Sequence, residues 1–156
     1  MNRGFSLLEL LIIIAVVSLL AAGVGVSLVN YQRTAALDSS AKEIVGNLRF
    51  AQSKAITGED GNADGASDTW GVRFANGAND TYRIFYGSPY NVNNAKEEIY
   101  LPSSVSFNAP SEGNTLDVIF AKTSGTASAA TITVSSADGS ETRTVTVNAA
   151  GRISSD

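Results

Sequence analysis

Cysteine and histidine are both missing from this chain of 156 residues. Without cysteine, no disulfide clamps the fold. Without histidine, the commonest general base and transition-metal ligand is absent. Ser-His-Asp catalysis and His-ligated zinc sites are therefore excluded, and no constellation in the chain supports an enzyme. Glu97-Glu98 is a pair of adjacent carboxylates, but neighbours on a strand point to opposite faces and cannot easily share acid-base work. Positive charge is also scarce. Residues 57–156 hold six Lys and Arg against twelve Asp and Glu, a difference of −6 within a whole-chain net charge of −4. A surface that acidic repels phosphate backbones unless its few cations cluster.

What the chain does have is a long apolar run at its start. After Met1-Asn2-Arg3-Gly4, residues 5–29 carry a single charge, Glu9. Twenty-five helical residues span roughly 37 Å, enough for a tilted bilayer crossing. A carboxylate at bilayer depth costs about 2.5–3.5 kcal/mol, and such residues usually carry a function. A secretory signal would place its small-residue cleavage site after the apolar core. Here Gly4 precedes it, so a cut after Gly4 leaves the apolar segment on the mature chain.

The pattern Arg3-Gly4-Phe5-Ser6-Leu7-Leu8-Glu9 resembles the class III signal of type IV pilins and pseudopilins. The resemblance implies cleavage between Gly4 and Phe5 by a membrane prepilin peptidase and N-methylation of the new Phe5 terminus. It also implies that Glu9 pairs with the Phe5 amine of a neighbouring subunit as the helices pack. Two departures stand out. Many pilins carry a disulfide near the C-terminus, which this chain cannot form. Many also carry a helix-kinking proline where this chain has Val26, although Gly23 and Gly25 could allow local unwinding.

Residues 30–56 continue as an amphipathic helix. Leu37, Ala41, Ile44, Val45, Leu48, Ala51, Ala55 and Ile56 recur at spacings of three and four, one apolar face for packing on a sheet. Thr57-Gly58 is a stop. Beyond it the period becomes two. Strands are expected at 70–74, 82–86, 98–101, 105–107, 116–120, 130–134 and 142–147, the last two forming a hairpin across Asp138-Gly139. Residues 122–130, rich in Ser, Thr, Gly and Ala, read as a long mobile connection. The fold class is α+β: a long N-terminal helix packed on an antiparallel β-sheet domain, with a leader at 1–4, an apolar helix at 5–29, an amphipathic helix at 30–56 and the sheet domain at 57–156. This order resembles the pilin fold. The segments at 48–56, Trp70-Gly71-Val72-Arg73-Phe74, Tyr82-Arg83-Ile84-Phe85 and Gly151-Arg152-Ile153 resemble the GspH/FimT group of minor pseudopilins.

One loop has a metal-like pattern. Asp60, Asn62, Asp64 and Asp68 place oxygen donors at alternate positions around Gly65, and the run resembles divergent calcium loops. The twelfth position is Gly71 rather than a bidentate Glu. Calcium binding and a solvated acidic linker both remain open. The 86–94 segment, with Pro89 and Tyr90, reads as a surface turn or an exposed binding loop. Some FimT-like proteins bind DNA through Gly-Arg-x-Arg; here Ser154 replaces the second Arg, so nucleic acid is not expected as a partner.

The reading is a structural subunit of a type IV pilus or type II secretion pseudopilus. Its partners would be other pilins through the helix, the prepilin peptidase, an assembly platform in the inner membrane, and the membrane itself. The globular part would be extracytoplasmic. The alternative is an adhesive or DNA-capturing subunit at a filament tip.

Overall fold

The computed structural model describes residues 6–156; within the first helix, the side chains of residues 21–28 lie outside that description. One helix, α1 (Leu7–Thr57, 51 residues), runs through both segments that the sequence separates. It ends where Thr57-Gly58 predicts. Gly58 takes the left-handed conformation (φ 69°), and its N–H and that of Glu59 close the last turn onto the Ala55 and Lys54 carbonyls.

The two halves of α1 differ in what they touch. Leu37, Ile44, Leu48, Ala51 and Ala55 are fully buried, as their spacing predicts. Ile56, placed on the same face by its spacing, is instead half-exposed beside Gly125. By contrast, residues 7–20 are exposed along their whole length. Among the described residues no helix is long and apolar enough to cross a membrane. The expected span of 5–29 includes Phe5 and the side chains of residues 21–28, which lie outside the described set.

Eight strands follow: β1 (Trp70–Ala75), β2 (Thr81–Tyr86), β3 (Ala95–Tyr100), β4 (Val105–Ala109), β5 (Thr115–Phe120), β6 (Ala130–Ser136), β7 (Thr142–Val147) and β8 (Ile153–Ser155). They form two four-stranded antiparallel sheets, ordered β3-β2-β1-β5 and β4-β6-β7-β8, where the sequence reading expected one. The chain first leaves the β1 sheet after β3, at Pro102, which has no N–H to continue a ladder; it returns for β5 and crosses again to β6. Strand β4 pairs with β6, setting Val105 opposite Ser136 and Phe107 opposite Val134. The expected hairpin is present as β6–β7, with Ile132 opposite Val145.

Both sheets turn their apolar faces toward α1, and one core joins all three. Trp70, Val72 and Phe74 from β1, Ile132 and Val134 from β6 and Val145 and Val147 from β7 meet the buried helix face. Phe74 joins the sheets by an edge-on contact with Phe107 at 5.8 Å between ring centroids. Asn76 adds to this seam: its side-chain amide donates to the carbonyls of Phe107 (2.9 Å) and Pro110 (2.8 Å). Asp80 accepts from the Phe107 N–H at 2.8 Å.

The 122–130 connection is not the free segment that its composition predicts. The Thr123 N–H donates to the Ala55 carbonyl, Gly125 N–H to Ala121, and Ala127 bridges to Phe120. Its backbone donors find partners on the helix end and on the adjoining strand, which removes the freedom that small residues would otherwise have.

Candidate functional site: the N-terminal helix and its neighbours

The processing pair, Gly4 and Phe5, lies outside the described residues. Description begins at Ser6, which caps α1. Ser6 is extended (φ −76°, ψ 148°), and its hydroxyl accepts the Glu9 N–H at 3.2 Å. Glu9 therefore stands in the first helical turn, where unpaired backbone N–H groups make the electrostatics favourable for a carboxylate. The sequence Ser6-Leu7-Leu8-Glu9 has the Ser-x-x-Glu form of a capping box, a signal the sequence reading passed over.

Around Glu9 the helix is apolar on every side and uncovered. Exposure runs from 49% at Ile13 to 84% at Leu7, and Leu8, Leu11, Ile14, Val17 and Leu20 share it. An amphipathic surface helix hides one stripe and wets the other; a helix apolar all round belongs inside something. Contiguous exposed apolar surface of this kind marks a protein or membrane contact.

The acidic loop is organised by its own backbone. Asp60 Oδ1 accepts from the N–H groups of Asn62 (3.0 Å) and Ala63 (2.6 Å), and Oδ2 from Gly65 (2.5 Å). These bonds, Gly65's first, hold the Asp60 carboxyl below the usual carboxylate range. Asp64 accepts from Ala66, and Asp68 from Gly61 at 2.9 Å. Asn62 donates its side-chain amide to Asp64 Oδ2 at 2.9 Å, and its Oδ1 accepts the Asp64 N–H at 3.1 Å. Among the described residues no three acidic side chains stand together so as to hold a metal ion. As folded, each of the four donors accepts a backbone N–H.

The remaining candidates have structural partners. Glu98 pairs with Arg83 on the outer face of β2 and β3, while Glu97 borders the cleft that holds Lys54 and Trp70. Tyr90 folds back onto the sheet, edge-on to Phe85 at 5.0 Å and beneath the Arg73 guanidinium at 4.2 Å, while Ser88, Pro89 and Asn91 to Asn93 stay exposed around it. Burial pushes the nearby Asp117 carboxyl up, against the pull of Arg73. Ser154 shares a 2.8 Å hydroxyl contact with Thr146. Gly151 is locked under Gln52, whose amide donates to the carbonyls of Gly125 (3.0 Å) and Gly151 (2.7 Å).

Residues 1–25 match the prokaryotic N-terminal methylation motif. The chain thus carries the signal of a type IV pilin-like precursor at its start, and the architecture beyond it, a long helix followed by antiparallel sheets, is consistent with the pilin fold. A search of curated proteins found no match, and a search of solved structures found none.

Proposed function

We propose that the chain is a structural subunit, a minor pilin or pseudopilin of GspH/FimT type, that is inserted in the inner membrane through residues 5–29 and then drawn into a filament. The observation that carries this reading is the uncovered, all-round apolar helix at residues 7–20 with one carboxylate in its first turn. In the membrane, lipid covers the apolar faces. In a filament, helices of other subunits do so, and Glu9 meets the Phe5 amine of a neighbour. Each charged group then satisfies the other in a setting where neither is well solvated. Prepilin peptidase, the assembly platform and other pilins are the partners this implies. A DNA-capturing role gains no support from the C-terminal element, where Arg152 stands alone and Ser154 is engaged with Thr146.

Glu9 is the test. Glu9→Ala removes a charge from an apolar helix, so membrane insertion is retained. Incorporation into filaments, measured by shearing and immunoblotting in cells expressing the partner pilins, is expected to fall to a small fraction of wild type. The globular domain's melting temperature is expected to stay unchanged. Normal incorporation of the alanine variant would remove the pairing from the account.

Calcium at Asp60, Asn62, Asp64 and Asp68 is a lesser proposal. Its support is the alternating donor pattern alone.

A further inference from the structure

The helix is held to the domain in two different ways on either side of Leu37. From Leu37 onward it is welded by apolar burial: Leu37, Ala41 and Ile44 are 0–5% exposed. Just ahead of Leu37, Ala36 still packs against the edge of the core; the contacts described ahead of Ala36 are polar and reach the β6–β7 hairpin. Arg33 Nη1 meets Asp138 Oδ2 at 3.1 Å, and the Thr34 hydroxyl meets Glu141 Oε1 at 3.3 Å. Asp38, at the start of the weld, accepts from Arg143 Nε at 2.7 Å, and Arg143 also faces Glu141 at 3.6 Å. Between helix and hairpin lies a polar cavity of about 250 Å³, lined by Arg33, Thr34, Asp138 and Glu141 with Asn30, Ser136 and Ser140. The two surfaces are bridged across a gap rather than packed.

Such a bridge is weak where the weld is strong. Exposed ion pairs contribute little and are screened by salt, whereas the buried face of α1 is close-packed. The hairpin half is kept in shape independently of the helix. Asp138 accepts from the hydroxyls of Ser136 (2.6 Å) and Ser140 (2.7 Å) and from the Ser140 N–H (3.0 Å). These contacts, aided by Arg33, hold its carboxyl well below the usual range. The receiving side is therefore rigid and charged, and opening requires only that the helix swing away.

We propose that the β6–β7 hairpin is an ionic strap that fixes the direction in which α1 leaves the domain. Releasing the Arg33, Thr34 and Asp38 contacts frees residues ahead of Ala36 to pivot while the domain stays folded. The strap gives a subunit two stem angles, one strapped and one free, without unfolding. This inference stands on the fold alone and does not require that filaments form.

The absence of cysteine makes a direct test clean. Spin labels are placed on the full chain in non-ionic detergent at Tyr31→Cys on the helix and Ala137→Cys in the hairpin turn, both exposed and neither one a bridging side chain. A control pair uses Lys42→Cys with Ala137→Cys, across the welded segment. Distances are read by double electron-electron resonance. At about 0.01 M salt, where the screening length is roughly 30 Å, the first pair is expected to give one narrow distribution. At about 1 M, where it is roughly 3 Å, the distribution is expected to broaden and shift to longer distance. Arg33→Ala combined with Asp38→Ala, which leaves the hairpin intact, is expected to do the same at low salt, and Arg33→Lys to stay narrow. The control pair is expected to remain unchanged throughout. A first-pair distribution indifferent to both salt and the double variant would overturn the proposal, as would an equal shift in the control pair, which would mean general loosening.

Discussion

A Cβ on Gly151 would lie 2.0 Å from the Gly125 carbonyl oxygen and 2.6 Å from Gln52 Nε2, on a backbone with φ +79°. Gly65 is also left-handed (φ +86°), but a Cβ there meets nothing within 4 Å. The two positions separate backbone strain from crowding. An L-residue in the left-handed region costs roughly 1–2 kcal/mol, so Gly65→Ala is expected to lower stability by about that much. Gly151→Ala pays the same strain and must also push Gln52 and residue 125 apart, so its loss is expected to be clearly larger, measured as the midpoint of urea unfolding. Equal losses at the two sites would remove the Gln52–Gly151 lock from this account. At this scale the sequence was uneven to read. Glu9 stood out because one charge in twenty-five residues has no ordinary explanation. Gln52 was invisible, because a glutamine on a helix acquires meaning only when Gly125 and Gly151, 73 and 99 residues away, arrive beside it.

Among the elements, α1 was the most legible. Its apolar spacing from Leu37 to Ala55 predicts the buried face, and its stop at Gly58 is placed correctly. The strands were legible in type but less so in extent. β3 begins at Ala95, three residues before the expected start, because Lys96 and Glu97 on an exposed edge give no apolar alternation to follow. β8, three residues long, left no periodic signal. The partition into two sheets was not legible, since period-two patterns say which face is apolar but not which strand lies alongside. The acidic loop shows the same limit in chemical form. Its donor spacing suits calcium, yet spacing does not reveal that Asp60 already accepts three backbone N–H bonds. The calcium proposal is decided by melting temperature in calcium, magnesium or chelator, for wild type and Asp64→Ala. A ligand bound only to the folded state raises stability by mass action. Calcium binding predicts a rise for wild type alone, at about 10⁻⁴–10⁻³ M as in weak extracellular sites, with magnesium ineffective. No shift, or equal shifts in both proteins, retires it.

For the molecule as a whole, the division of labour along one 51-residue helix is the central feature. Its C-terminal half is spent on the domain's core. Residues 7–20 of its N-terminal half are exposed along their whole length, the surface that the proposed assembly covers. The proposed sequence of events begins with a cut between Gly4 and Phe5, which creates the amine that Glu9 is to meet. The most direct measurement is the intact mass of the purified chain from cells with and without an active prepilin peptidase. With the peptidase, the account expects a chain that starts at Phe5 and carries one added methyl group; without it, or with a bulkier residue in place of Gly4, the full precursor. A chain still beginning at Met1 in the presence of the active peptidase would contradict the account.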